Sequence, residues 1–333
     1  MNEVYYFSIM FEIKRHTPFL DTRWDRFVEE ESVNGTFLQT RRFLNYHPAN
    51  RFRDESFVIE KSGTIAAAFP GNRTHDNEFV SHGGSTFGGP VIGTPFYTGG
   101  RIQEILEIAD RHFSNNFKKV TLKITPSLFC LKQSDLLEYS LEHMGYTRHS
   151  ELSAFTILKR NDDPLDSCDK ECRRTFRKSE IFPLIYRDFE TREDYEIFYT
   201  HLVKSKEKHG TSPVHTIDEL MDLREKRITD ELRFRGLWDA SGNYIAGIML
   251  FLFKKAQVIH AQYIAPNENF DRFNPTTAMY IHSLREAKMD GFKKFSWGIS
   301  TEEGGRILNI NLFKFKESFG AEASVNVFYT KEF

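Results

Sequence analysis

The sequence predicts an α/β (α+β) chain of two tandem domains, each a mixed, mostly antiparallel sheet flanked by helices. One observation is length: 333 residues exceed one ordinary domain and suit two. A second is self-similarity, since the order strands, helix, strand, helix, strand is legible twice. A third is spacing, because matching phrases of the two halves stand 175 positions apart.

In the first half, Ser56 to Phe69 reads as a hairpin about Lys61-Ser62-Gly63; in the second, Phe234 to Phe253 does the same about Ala240-Ser241-Gly242. Extended chain and then an amphipathic helix follow each. Ile102, Ile105, Leu106, Ile108 and Ala109 give the apolar stripe of the helix Arg101 to Asn115, and Met279, Ile281, Leu284 and Ala287 that of Pro275 to Asp290. Phe117-Lys118-Lys119-Val120 then leads a strand through Ile124, as Phe292-Lys293-Lys294-Phe295 leads one through Ile299. A further helix closes on Met144-Gly145-Tyr146 in one half and Phe319-Gly320-Ala321 in the other, glycine standing just past the helix end. Leu152 to Leu158 and Val325 to Tyr329 are the last strands. The domains are expected over 1–160 and 181–333. The linker, 161–180, holds Asn161-Asp162-Asp163-Pro164 and the basic run Arg173-Arg174-Thr175-Phe176-Arg177-Lys178.

Composition narrows the function classes. Apolar residues make up 40% of the chain and include 32 Phe, enough for a packed core. With 45 Lys and Arg against 47 Asp and Glu, no general attraction to nucleic acid or an anionic membrane is expected, although a local basic patch stays open. No apolar run spans a bilayer and no leader pattern opens the chain, so a cytoplasmic location is expected. Cys130, Cys168 and Cys172 form neither a disulfide framework nor a zinc-finger spacing, and no metal is expected.

The phrase from Gly304-Gly305-Arg306 through Asn309, Leu312 and Lys314-Phe315-Lys316-Glu317-Ser318-Phe319-Gly320, set in the repeated order, resembles the tandem GNAT fold of the Fem-type transferases and their acetyltransferase relatives. Gly35-Thr36-Phe37-Leu38-Gln39-Thr40 is similar to their early G-x-F-L-Q-S element, and His82-Gly83-Gly84-Ser85-Thr86-Phe87-Gly88-Gly89 to a glycine-rich element of bacterial members. The resemblance implies transfer of an acyl group to an amine, from acetyl-CoA in GNAT enzymes or from aminoacyl-tRNA in the peptidoglycan-bridge enzymes. One departure is clear. Where the GNAT pyrophosphate loop carries two glycines, this chain reads Arg272-Phe273-Asn274-Pro275-Thr276-Thr277-Ala278.

Asn274 suits an N-cap and Pro275 a first helical position, and the hydroxyls of Thr276 and Thr277 stand where a helix points its free amides. Anion binding and plain capping are both open there. By the resemblance the acyl group lies where central strands splay, which makes Gln262 and Tyr263 catalytic candidates and brings Trp297, Ser300 and Asn309 to the donor. Tyr263 or Tyr280 is a candidate acid, and His260, on the same face as Gln262 if the strand is regular, a candidate base. Each has a packed core role as its alternative. The loop of His82, Gly83, Gly84, Ser85 and Thr86 reads as an acceptor-binding loop or as a turn-rich connection. His47, Arg51 and Asp54 form a second cluster, in which Arg51 contacts the acceptor or pairs with Asp54. The expected activity is acetyl-CoA-dependent N-acylation of an amino sugar or nucleotide-linked amino sugar in envelope polysaccharide synthesis. The alternatives are a tRNA-dependent Fem-like transferase and an inactive binding protein.

Overall fold

The computed structural model describes residues 11–48, 50–208 and 210–333, so the leader reading of the first ten positions lies outside it. The chain divides into two compact units, Met1–Ser150 with Val327–Phe333, and Glu151–Asn326.

Unit 1 runs β1 (Phe11–Arg15), α1 (Asp21–Arg26), α2 (Arg41–Leu44), β2 (Arg53–Asp54), β3 (Phe57–Lys61), β4 (Thr64–Phe69), β5 (Asn72–Arg73), β6 (Glu78–Val80), β7 (Val91–Ile92), α3 (Gly99–Asn116), β8 (Lys119–Lys123), α4 (Asp135–His143) and the start of β9 (Thr147–Ile157). The β3–β4 hairpin turns at Ser62 and Gly63, both at positive φ, the twist that a two-residue turn needs. β1, β3, β4 and β7 form one antiparallel sheet, while β8 pairs with β6 in parallel. Helix α3 lays Ile102, Ile105, Leu106, Ala109 and Phe113 on a core with Phe57, Phe69 and Phe79. Each such ring contributes about 1.5–3 kcal/mol by leaving water.

Unit 2 continues with α5 (Lys170–Ser179), β10 (Ile185–Asp188), α6 (Arg192–Glu207), α7 (Ile217–Asp222), β11 (Leu232–Trp238), β12 (Tyr244–Phe253), β13 (Val258–Pro266), α8 (Pro275–Met289), β14 (Lys294–Ile299), the short pair β15 (Thr301–Glu302) and β16 (Ile307–Leu308), α9 (Ile310–Glu317) and the start of β17 (Glu322–Glu332). β10 through β13 are antiparallel neighbours, and β13 pairs with β14 in parallel. β12 is buried along its whole length, so its residues read as one apolar run.

Two expectations change. The last strands are exchanged: residues 153–157 of β9 pair with β14 in unit 2, and residues 328–332 of β17 pair with β8 in unit 1. The segment 161–180 is no free linker either. Its helix α5 buries Cys168 beside its start, then Cys172 and Phe176, in the unit 2 core, and Arg285 of α8 grips the Asp163 carboxylate with two nitrogens. Cys172, Phe176 and Ser179, all buried, share one helical face, and its apolar part must be covered.

Candidate active site

The site of unit 2 is made where two strands part. β13 and β14 share three parallel pairs, Val258 with Lys294, Ile259 with Phe295 and His260 with Ser296, and none beyond. Past the last pair each strand carries one extra residue: Gln262 in β13 relative to β12, and Trp297 in β14 relative to β9. A bulge bends and twists its strand, so two bulges on adjoining strands open the sheet between them. Gly298, at φ +73°, completes the turn of β14, and a Cβ there would stand 3.4 Å from the His260 ring.

Polar groups gather at this opening. The His260 Nδ1 and the Ser296 hydroxyl lie 3.0 Å apart. Burial, then the nearby Lys316 charge, pushes the His260 ring down to about 4, so it is neutral at pH 7, while the Gln262 side chain works in the opposite sense. The same Gln262 side chain bears on Tyr263, whose hydroxyl meets His215 Nδ1 at 2.8 Å and is pushed by burial up to about 12. Lys316 reaches the end of β14 from α9 and is only 4% exposed. Its ammonium donates to the Gly298 carbonyl at 2.8 Å, the Ile299 carbonyl at 2.7 Å and the Ser300 hydroxyl at 2.8 Å, and burial pushes it down to about 8. A fixed, desolvated cation beside a neutral imidazole can stabilise negative charge that develops on an oxygen.

In unit 1 the corresponding opening is closed by the chain itself. β6 and β8 also share three parallel pairs, ending at Val80 with Thr121. Beyond them the Lys123 amide donates to Ser81 Oγ, and the Gly88 and Gly89 amides donate to the Lys123 carbonyl. The glycines serve this packing: a Cβ on Gly88 would lie 2.0 Å from the Ser81 carbonyl oxygen, and one on Gly84 2.1 Å from His47 Nε2.

The candidates from sequence fall into three groups. His260, Gln262, Tyr263 and Ser300 are brought together as described, although the regular strand assumed for His260 and Gln262 is broken by the bulge. His47 stacks 5.4 Å from His82, with Phe52 against both, while Gly83 donates to Asn72 and Gly84 to His82 Nδ1. Ser85 Oγ donates to the Phe87 carbonyl, and Thr86 is exposed. Other candidates have structural partners. Tyr280 lies among Phe295, Trp297, Phe315 and Phe319, its hydroxyl pushed far up by burial. The Trp297 indole donates to Thr156, turning it into the core, and Asn309 caps α9 through Leu312. Asp54 pairs with the buried Arg41, which reaches it from α2, and with His16. Asn274 sits at the start of α8 in the left-handed region with no capping bond from its side chain, which leaves the first-turn amides at Thr276 and Thr277 uncapped by it. Lys316 was missed. Its signal was a lysine at the helical spacing that joins Leu312 to Phe319, an apolar stripe.

Two units, each with a parallel strand pair that ends after three residue pairs, define a tandem GNAT architecture. Residues 166–305 match the family model described as acetyltransferase (GNAT) domain. Among solved structures, FemX aligns over 96% of this chain and 96% of its own, with TM-score 0.70 at 12% identity. L-PGS from Bacillus licheniformis aligns over 92% and 90%, with TM-score 0.57 at 13% identity. A tandem GNAT protein from the clavulanic acid biosynthesis pathway aligns over 97% and 98%, with TM-score 0.56 at 10% identity. At such identities the likeness is one of fold. No curated protein matches by sequence. Among the described residues no cluster of three or more His, Cys, Asp or Glu could hold a metal, and no helix is long and apolar enough to cross a membrane.

Proposed function

We propose that unit 2 transfers an acyl group from an activated ester to an amine, and that the donor is an aminoacyl ester on tRNA. The observation that carries acyl transfer is the opened β13–β14 pair, with His260, Gln262 and Tyr263 on one strand and the Lys316 ammonium at the end of the other. The amine nitrogen attacks the ester carbonyl carbon, a C–N bond forms, and the carbonyl oxygen takes the negative charge. Lys316 stabilises that charge by turning one of its three protons from a backbone carbonyl to the substrate. As the C–O bond to the ribose breaks, the amine proton passes to the leaving oxygen. A ring held at about 4 is a weak base, so His260 orients the amine as a hydrogen-bond acceptor, and Tyr263, which keeps its proton to about 12, supplies a donor.

The choice of tRNA rests on the turn before α8. In place of glycines it has a 3-10 segment, Glu268–Phe273, with Glu268, Asp271 and Arg272 exposed. Side chains there stand where glycines would let a pyrophosphate approach the backbone amides closely. Acetyl-CoA is the second reading, favoured by the acetyltransferase description of the model matched over 166–305; its acceptor would be an amino sugar or a nucleotide-linked one. The test incubates the protein with labelled aminoacyl-tRNAs or labelled acetyl-CoA and a panel of amines that includes sugar nucleotides, and follows label transfer by mass spectrometry. Transfer from aminoacyl-tRNA supports the proposal; transfer from acetyl-CoA alone moves the donor to the second reading; transfer from neither donor contradicts both.

A further inference from the structure

We propose that the exposed face of α5 binds the phosphodiester backbone of an RNA, an inference that rests on the aminoacyl-tRNA reading and assigns a surface to it. Lys170, Arg174, Arg177 and Lys178 follow one another at intervals of four, three and one residues, and all four are exposed. In a helix this is a single stripe. The opposite stripe, Cys172, Phe176 and Ser179, is buried, so packing fixes which way the basic side chains point. At 1.5 Å per residue the stripe is about 12 Å long, enough to follow more than one phosphate of a strand.

The charges are available. Among the described residues Lys170, Arg177 and Lys178 form no ion pair, and Arg174 has one exposed pair, with Glu171 in the preceding turn. The acids flanking the stripe along the chain are the exposed N-cap Asp169, Glu171, and Glu180 just past the helix. Arg173 differs from its neighbours: its guanidinium donates to the carbonyls of Asp166 and Cys168 and ties down the helix start.

Position links the stripe to the proposed site. α5 packs against α8 and against the 3-10 segment before it. Just beyond α5, Phe182 meets Phe273 edge to face at 4.3 Å, one residue ahead of the turn into α8, and the exposed Arg272 lies over that Phe273 ring. One exposed basic group, Arg272, therefore stands between α5 and the start of α8. A donor whose acyl end enters the splay would run its phosphates along this path, whereas a net charge of -2 gives the rest of the chain no such attraction.

The test is bulk tRNA binding by fluorescence anisotropy across a salt series, for the wild type and for the triple variant Arg174→Gln, Arg177→Gln, Lys178→Gln, with Arg192→Gln and Lys226→Gln as exposed controls. Each lost phosphate contact lowers the slope of log K against log salt by about 0.7 to 0.9, so the triple variant is expected to lose roughly 2 to 3 from its slope. The controls are expected to keep theirs. All the substituted side chains are outside the core, and circular dichroism checks that the variants fold. Wild-type binding with an unchanged slope in the triple variant would overturn the surface while leaving the donor reading intact. No binding by the wild type would overturn the donor reading and the surface with it. Loss of CoA binding in the variant, with tRNA binding unaltered, would reassign the stripe to a small phosphate donor and also overturn the proposal.

Discussion

Replacing Lys316 by Met isolates a pH dependence that the structure sets. The folded ammonium loses its proton at about 8, against an ordinary value of 10.5. Between those values the unfolded chain binds the proton more tightly, so stability rises with pH and falls again as pH drops through 8. One pKa unit is about 1.4 kcal/mol; integrated from pH 7 to pH 9.5, the wild type is expected to gain about 2 kcal/mol from this residue. Lys316→Met keeps most of the side-chain volume but cannot titrate. It also leaves the carbonyls of Gly298 and Ile299 and the Ser300 hydroxyl without their donor, at about 1–3 kcal/mol for each group that water cannot reach. Urea unfolding followed by Trp fluorescence at pH 7, 8, 9 and 9.5 gives both stabilities. Subtracting the variant from the wild type removes the other titrating groups, whose contributions are common to both. A difference that climbs by about 2 kcal/mol over this range fits the buried ammonium. A flat difference would show that Lys316 is solvated and would remove the cation from the proposed site.

Four other outcomes are expected. His260→Asn removes a ring whose folded value is about 4 rather than 6.5, so the wild type should lose stability relative to the variant as pH falls from 6.5 towards 4; parallel acid-unfolding curves would count against the assignment. Gly298→Ala places a Cβ in the left-handed region 3.4 Å from the His260 ring; it should cost about 1–2 kcal/mol by chemical denaturation and lower transfer, and normal activity would refute the close fit. Tyr263→Phe deletes the 2.8 Å contact with His215 and should cost about 1–2 kcal/mol, read in the same assay. Gly84→Ala drives a methyl into the His47 ring and should destabilise unit 1 while leaving transfer by the remaining folded protein intact; loss of transfer without loss of stability would give that loop a direct part in the reaction.

The fold was legible because the repeat is written in local signals. The Ser62-Gly63 turn, the stripe of α3 and the Phe-Lys-Lys entry to β8 and β14 each need only neighbouring residues to be read. What failed depends on partners distant in sequence. Nothing within β9 or β17 says which β8-like strand each will join, so the exchange of last strands has no local mark. The bulges at Gln262 and Trp297 are likewise set by pairing across the sheet, and they decide where the site opens. Among the candidates, His260, Gln262 and Tyr263 could be read together because they share one strand. Trp297, Tyr280 and Asn309 have core or capping partners that sequence could not foretell, because amphipathic and capping residues look the same whether they face a ligand or a core. The glycine-rich loop is a similar case: four glycines permit close approach, and here what approaches is the protein's own backbone and the His47 ring.

The central claim is that the splay of unit 2 performs acyl transfer from aminoacyl-tRNA. The most direct measurement is a single-turnover transfer from labelled aminoacyl-tRNA to an acceptor amine, comparing the wild type with Lys316→Met at matched folded concentration. The expected result is transfer by the wild type and a loss of about 100-fold or more in the variant, the size seen when one stabilising donor to an oxyanion is removed. Equal rates in the two proteins, or transfer from acetyl-CoA in place of aminoacyl-tRNA, would contradict the account.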